Sequence, residues 1–208
     1  MTLDLTALLT AWSIQAAGAL SPGPGVAMLL GVASSRGRAP ALLTALGIGC
    51  AAIILATITV VGFSALLAEM SGLLQVMRWL GAGYLLWLAY GAFRRAASTR
   101  ELTVKESRPR SPFQTWLSGF VLQMSNPKAL FFWLAIAAVG GLQAANTATL
   151  TVFVAGAFVI SLVSHGGWAL LLSSTPFRRL YQRGQRYVET MLGGFFAFAS
   201  FKIFTAET

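Results

Sequence analysis

Six long apolar stretches constrain this 208-residue chain more than any other feature. They run approximately Leu5–Ser35, Ala41–Leu67, Leu73–Phe93, Phe113–Gly140, Thr149–Leu172 and Val188–Phe204. A helix rises ~1.5 Å per residue, so about 20 apolar residues cross the hydrocarbon core of a bilayer. Runs such as Ala51–Val61 are apolar all round, with no alternation of period two. This pattern selects helices over a membrane barrel. A soluble domain carries about 25% charged residues, whereas this chain has 10%, with 56% apolar. The sequence therefore predicts a single all-α integral membrane domain over residues 1–208. The N-terminus carries Asp4 and no basic segment ahead of a long apolar run, which reads as a retained helix and not a cleaved signal.

Charge orients the spans. Basic residues cluster in alternate connections: Arg36 and Arg38; then Arg94, Arg95, Arg100, Lys105, Arg108 and Arg110; then Arg178, Arg179, Arg183 and Arg186. The second connection has only Glu69 and Arg78, and the fourth, Gly141–Ala148, has no charge. Twelve of the fifteen basic residues thus fall on one side of a six-span protein. The positive-inside rule makes that side cytoplasmic and puts both termini outside. Five or seven spans would scramble the alternation. The net charge of +9 follows from these flanks and implies lipid headgroups as neighbours, with no nucleic-acid partner.

Two spans are interrupted. The first contains Leu20-Ser21-Pro22-Gly23-Pro24-Gly25 and the fourth Met124-Ser125-Asn126-Pro127-Lys128-Ala129. Pro22 stands 14 residues before Arg36, and Pro127 stands 14 after Phe113. Each break therefore sits ~21 Å from the cytoplasmic end. A basic linker at about 95–112 separates two halves, about 1–94 and 113–208. With three spans each, the halves must enter from opposite sides, the condition for an inverted repeat. Leu80-Gly81-Ala82-Gly83-Tyr84 is echoed by Leu192-Gly193-Gly194-Phe195-Phe196. Broken helices at matching positions of two halves point to a transporter's central site.

The order Ser21-Pro22-Gly23-Pro24, Gly37, Gly47, Gly81-Ala82-Gly83-Tyr84-Leu85 and Asn126-Pro127-Lys128-Ala129 resembles the LysE/RhtB family of bacterial amino-acid exporters, over the whole chain in length, span count and motif order. The resemblance implies a bacterial inner-membrane protein of six helices that expels amino acids in exchange for protons. Gly25 stands where family members often carry a polar residue. Ser161 stands where many carry an acidic one, and Ala138-Val139-Gly140-Gly141 replaces a proline-glutamine-phenylalanine ending.

The candidate substrate site comprises Ser21, Pro22, Gly23, Pro24 and Gly25 at the first break and Asn126, Pro127 and Lys128 at the second. A cation at the bilayer centre costs on the order of 3 kcal/mol, so Lys128 needs a reason. Two readings stand: an ammonium that receives a substrate carboxylate, or one that neutralises carbonyls freed at Pro127. No Asp or Glu is expected inside the membrane to pair with it. Amides of the half-helix starting near Pro24 suit a carboxylate, and carbonyls before Pro22 suit an ammonium. Alternatively, Gly23 and Gly25 serve a tight helix crossing. Asn126 reads first as a cap, His165 as a proton-coupling candidate or a helix-packing histidine. Gln15, Thr44, Cys50 and Gln123 are further polar groups along the spans. Gly81, Gly83, Gly193 and Gly194 read as close helix packing.

The function this predicts is secondary amino-acid export by alternating access, with a small-molecule substrate and protons as partners and a homo-oligomer left open. The alternative is an exporter of another small solute or ion on the same plan. An enzyme is not expected, since His165 has no acidic partner in its helix. No cofactor or metal is expected either, since one cysteine, Cys50, allows neither a disulfide nor a thiolate cluster.

Overall fold

The computed structural model describes residues 2–69, 73–98, 111–139, 142 and 145–205, leaving out the side chains at 62–69, 73–75, 77–78, 138–139, 199 and 202–203. Among the described residues there are eight α-helices and no strand. They are α1 (Leu5–Leu20), α2 (Pro24–Arg36), α3 (Arg38–Glu69), α4 (Leu73–Ala97), α5 (Pro112–Ser125), α6 (Pro127–Val139), α7 (Thr147–Leu172) and α8 (Thr175–Thr205).

Local chemistry sets the helix starts. Asp4 accepts from the Ala7 amide to open α1. Ser111 and Gln114 form a reciprocal capping box with Pro112 in the first turn of α5, where its missing donor costs nothing. Asn146 accepts from Thr149 to open α7. The two internal breaks are proline effects. Pro22 has no N–H for the Gly18 carbonyl, and the Ser21 hydroxyl donates to that oxygen instead, at 2.9 Å. Pro127 likewise leaves the Gln123 carbonyl without a helical partner, and the Asn126 amide takes it at 3.4 Å. The chain bends by 48° between α1 and α2 and by 56° between α5 and α6.

Within α3 and α7, Arg38–Val61 and Thr147–Leu172 are each long and apolar enough to cross a membrane alone, and the two bent pairs qualify when each is taken as one span. α4 and α8 are not among them; α8 opens on a basic amphipathic stretch carrying Arg178, Arg179, Arg183 and Arg186. Exposed Leu86, Trp87, Tyr90, Val163, Phe198 and Phe201 form the kind of outer apolar surface that water does not tolerate in quantity.

α3 runs through the middle, packed on α5 and α7, while α4 and α8 pack chiefly on each other. The α3–α5 crossing is the tightest. A Cβ at Gly47 would fall on the Trp116 carbonyl oxygen, and one at Gly119 on that of Thr44, so these glycines let two backbones touch. Leu8, Trp133, Ile136 and Phe153 fill one core region, and Leu29, Ile48, Leu172 and Tyr181 another. The basic end is shared: Arg36 Nη2 donates to Thr115 Oγ1 at 3.0 Å, and Tyr181 packs edge-on to Trp168. At the other end the Asp4 amide donates to Thr149 Oγ1 at 3.1 Å.

Several expectations change. The arginines at 178–186 lie in the first turns of α8 and not in a loop; Ser173 and Ser174 alone separate it from α7. Arg94 and Arg95 end α4, and Arg78 lies within it. Most of the basic linker, residues 99–110, lies outside the described residues. Gly81, Gly83 and Gly194 have open space where a side chain would stand, and only Gly193 of that set packs closely, against Phe93.

Candidate functional site

The two breaks meet at the centre of the bundle. Lys128, in the first turn of α6, reaches across to the other half and donates from Nζ to the Ser21 carbonyl at 2.6 Å. A second, longer contact runs to the Pro22 carbonyl at 3.4 Å. Lys128 therefore neutralises carbonyls, but those of the opposite break and not those freed at Pro127. The acceptors are available because Ser21 and Pro22 lie beyond the end of α1, where no helical N–H follows to pair with them. The Ser21 carbonyl, expected to be free for a ligand ammonium, is occupied by this lysine.

Gly23 and Gly25 make room for side chains. A Cβ on Gly23 would stand 3.1 Å from both Lys128 Cδ and Nζ, and one on Gly25 3.4 Å from His165 Nε2. Neither meets a helix backbone, so the tight-crossing alternative belongs to Gly47 and Gly119 instead. Gly23 caps α2 without a side-chain hydrogen bond. The amides of Gly25 and Val26, behind a proline that has none, are the free N–H groups of that helix start. Asn126 Oδ1 accepts from the Lys128 amide at 3.1 Å, the capping role expected of it.

His165 Nδ1 lies 2.9 Å from the Ser161 carbonyl. A carbonyl accepts only, so Nδ1 carries the proton there, and in the neutral ring Nε2 has the lone pair. Ser161 Oγ is a further 3.4 Å neighbour of Nδ1.

These groups border one small cavity of about 40 Å³. That is room for about three waters at ~10–15 Å³ each. Ser21, Gly23, Pro24, Gly25, Asn126, Lys128 and His165 line it; neither Pro22 nor Pro127 is on the lining, though the Pro22 carbonyl contacts Lys128. Gln15 and Gln123 also line it. The Gln15 amide donates to the Ala157 carbonyl at 2.7 Å, while its Oε1 is buried with no partner. A lone side-chain amide in the first span is the sequence signal for Gln15. Apolar walls come from Phe132, Trp133 and Ile136.

Sequence reasoning missed one buried carboxylate: Glu189 of α8 is 1% exposed. Arg95 of α4 holds it bidentately, Nε to Oε1 at 2.9 Å and Nη2 to Oε2 at 3.0 Å. Its place near the start of the sixth apolar run, just past four arginines, has the look of a solvated flank.

Eight helices with an apolar outer surface, closed around a lysine, a histidine and three side-chain amides beside two facing breaks, define a multi-pass membrane protein with an internal polar site. Comparison with known sequences is more specific. Residues 16–206 match the family described as LysE type translocator, and the chain belongs to that family. It is 25% identical over 199 residues to the threonine efflux protein of Escherichia coli K12, covering 93% of this chain and 95% of the relative. The leucine efflux protein of Enterobacter sp. strain 638 is 26% identical over 175 residues, 84% of this chain and 82% of the relative. The cysteine/O-acetylserine efflux protein of Salmonella choleraesuis is 24% identical over 197 residues, 93% and 95% of the two chains. No solved structure matches the chain.

Proposed function

We propose that this protein is a secondary exporter of amino acids, moving them from the cytoplasm across the inner membrane in exchange for protons by alternating access between two inverted three-helix repeats. The observation that carries the reading is the Lys128 ammonium bound across the two breaks to the Ser21 carbonyl at 2.6 Å. Relatives with different amino-acid efflux names support the substrate class.

Most of the helix contacts support the repeat, while α2–α3 and α4–α6 lack a counterpart of similar extent among the described residues. Exchanging α1, α2, α3 and α4 for α5, α6, α7 and α8 turns the α3–α5 contact into α7–α1, α2–α7 into α6–α3 and α1–α6 into α5–α2, while α3–α7 and α4–α8 map onto themselves; all of these contacts are present. On this reading each bent pair is one span, α4 and the apolar part of α8 complete six, and both termini are extracytoplasmic.

In this mechanism a substrate carboxylate competes with the Ser21 and Pro22 carbonyls for Lys128. A full negative charge in a low-dielectric site outcompetes neutral dipoles. The amides of Gly25 and Val26 add partial positive charge on the same side. The substrate ammonium goes to acceptors left without donors, the Ser21 carbonyl and Gln15 Oε1. A cavity of about 40 Å³ is too small for this ligand, so the halves rock apart at the two breaks to admit it. His165, with Nε2 unprotonated, is the proposed proton acceptor. The alternative, export of another small solute or ion, is disfavoured for cations by the central lysine.

Reconstitution tests the reading. Proteoliposomes are screened with labelled neutral and basic amino acids, with and without a pH gradient, for the wild type and for Lys128→Ala. Gradient-dependent transport lost at least tenfold in Lys128→Ala is expected, in line with ~1.5–3 kcal/mol for a hydrogen bond to a charged group. Transport unchanged in that variant reduces the lysine to a structural role. No movement of any amino acid removes the substrate class.

A further inference from the structure

A second chamber lies behind the first break. Pro22, Gly23 and Pro24 form one wall, and Arg95, Tyr181 and Glu189 stand on the other. Its volume is about 260 Å³, several times that of the central cavity. Gly23, Pro24 and Val26 border both chambers, so the break and the first turn of α2 are the partition. Lys128 holds that partition through the Ser21 and Pro22 carbonyls.

The ion pair in this chamber needs explaining. The Glu189 side chain is 2% exposed and that of Arg95 48%. A buried ion pair is weak evidence for stability, because desolvation offsets the attraction and apolar replacements of similar volume often do as well. Its chemistry fits a ligand better. An α-amino acid carries a carboxylate and an ammonium on one carbon, and the pair presents a guanidinium and a carboxylate side by side. The Glu189 contact engages Arg95 Nε and Nη2 and leaves Nη1 outside it. Each Glu189 oxygen takes one hydrogen bond there and has a second lone pair to offer.

We propose that this chamber is a second binding site for the zwitterionic headgroup of an α-amino acid, occupied before the central cavity, in which Arg95 takes the carboxylate and Glu189 the ammonium. The inference rests on the amino-acid export reading above. The chamber lies on the side of the break where the basic residues of α4 and α8 gather, the cytoplasmic side in that reading. Substrate collected there lies across the first break from Lys128.

The test uses the full chain in inverted vesicles. Ala27 of α2 lines the chamber and is exposed. An Ala27→Cys reporter is therefore made in a Cys50→Ser background and labelled with a charged thiol reagent. The transported amino acid is expected to slow labelling, while its methyl ester and its N-acetyl derivative do not. Arg95→Gln and Glu189→Gln are each expected to abolish protection and raise the KM for export about tenfold. The double variant removes both charges together. It is expected to recover normal abundance while protection and KM stay impaired. A double variant with wild-type KM and protection overturns the site and leaves a structural ion pair. Substrate that is transported without protecting the Ala27→Cys reporter also overturns the site alone. A wild type that moves no amino acid overturns the reading beneath it, and the site with it.

Discussion

Gly23→Ala isolates the position of Lys128 from its charge. Gly23 has φ 179°, an extended backbone that alanine adopts freely, so the substitution adds no backbone strain. The new methyl would stand 3.1 Å from Lys128 Cδ and Nζ, and the lysine must shift by a few tenths of an ångström. Its Nζ is bound to the Ser21 carbonyl at 2.6 Å, so that shift falls on the charged hydrogen bond and on the space a carboxylate would use. Losing the whole bond would cost ~1.5–3 kcal/mol, or about 10- to 150-fold. Because a lysine tip is flexible, the expected loss in kcat/KM is near the lower end, about tenfold. Initial transport rates in proteoliposomes, normalised to protein, measure it. Gly81→Ala is the control, since it meets nothing within 4 Å. If Gly23→Ala transports like Gly81→Ala, the seat of the lysine against the first break is not part of the transport site.

The remaining predictions concern stability. Gly119→Ala would drive a methyl onto the Thr44 carbonyl, and backbone cannot rotate away. A loss of about 1–3 kcal/mol or more is expected, against no loss, or a gain of up to ~1 kcal/mol, for Gly194→Ala in open helix surface; equal melting temperatures in detergent would refute the crossing. Asn126→Ala removes the cap of α6 and is expected to cost ~0.5–2 kcal/mol, while Asn126→Asp keeps an acceptor oxygen and most of the stability; an Asn126→Ala protein as stable as wild type would show that the cap contributes nothing.

The breaks are legible in sequence because proline removes a donor wherever it falls. Two prolines at equal distance from the cytoplasmic ends of their spans place Ser21–Gly25 and Asn126–Lys128 at the same depth. What lies between them is not legible. Hydropathy fixes the depth of Lys128 along its own helix but not the direction of its side chain, so the carbonyls it neutralises belong to the break that sequence does not indicate. Glycine roles fail for a similar reason. Gly47 and Gly119 make a crossing and Gly81, Gly83 and Gly194 do not, a difference of helix rotation that a nearly uniform apolar pattern leaves undetermined. Glu189 escapes notice because hydropathy averages over a window. A single carboxylate at the edge of an apolar run looks solvated until its partner, Arg95 on another helix, is brought beside it.

In the proposed mechanism, the geometry of the two breaks also limits what can trigger transport. Breaking α1 at Pro22 leaves the carbonyls of Ser21 and Pro22 beyond the helix end, and unpaired carbonyls are costly in an apolar interior. Lys128 satisfies them while they in turn satisfy an ammonium that would be costly alone. The two groups are held by each other, so neither half can move away without a replacement for both. A cation cannot supply one, since it competes with the lysine and leaves it unpaired. A neutral amide offers both a donor and an acceptor but no net charge to match the buried ammonium. A zwitterion provides an anion for Lys128 and an ammonium for the Ser21 carbonyl at once, and the contact between the two breaks can then open without leaving a buried charge unmatched. In the proposed mechanism, separation of the halves is thereby tied to the presence of that class of ligand.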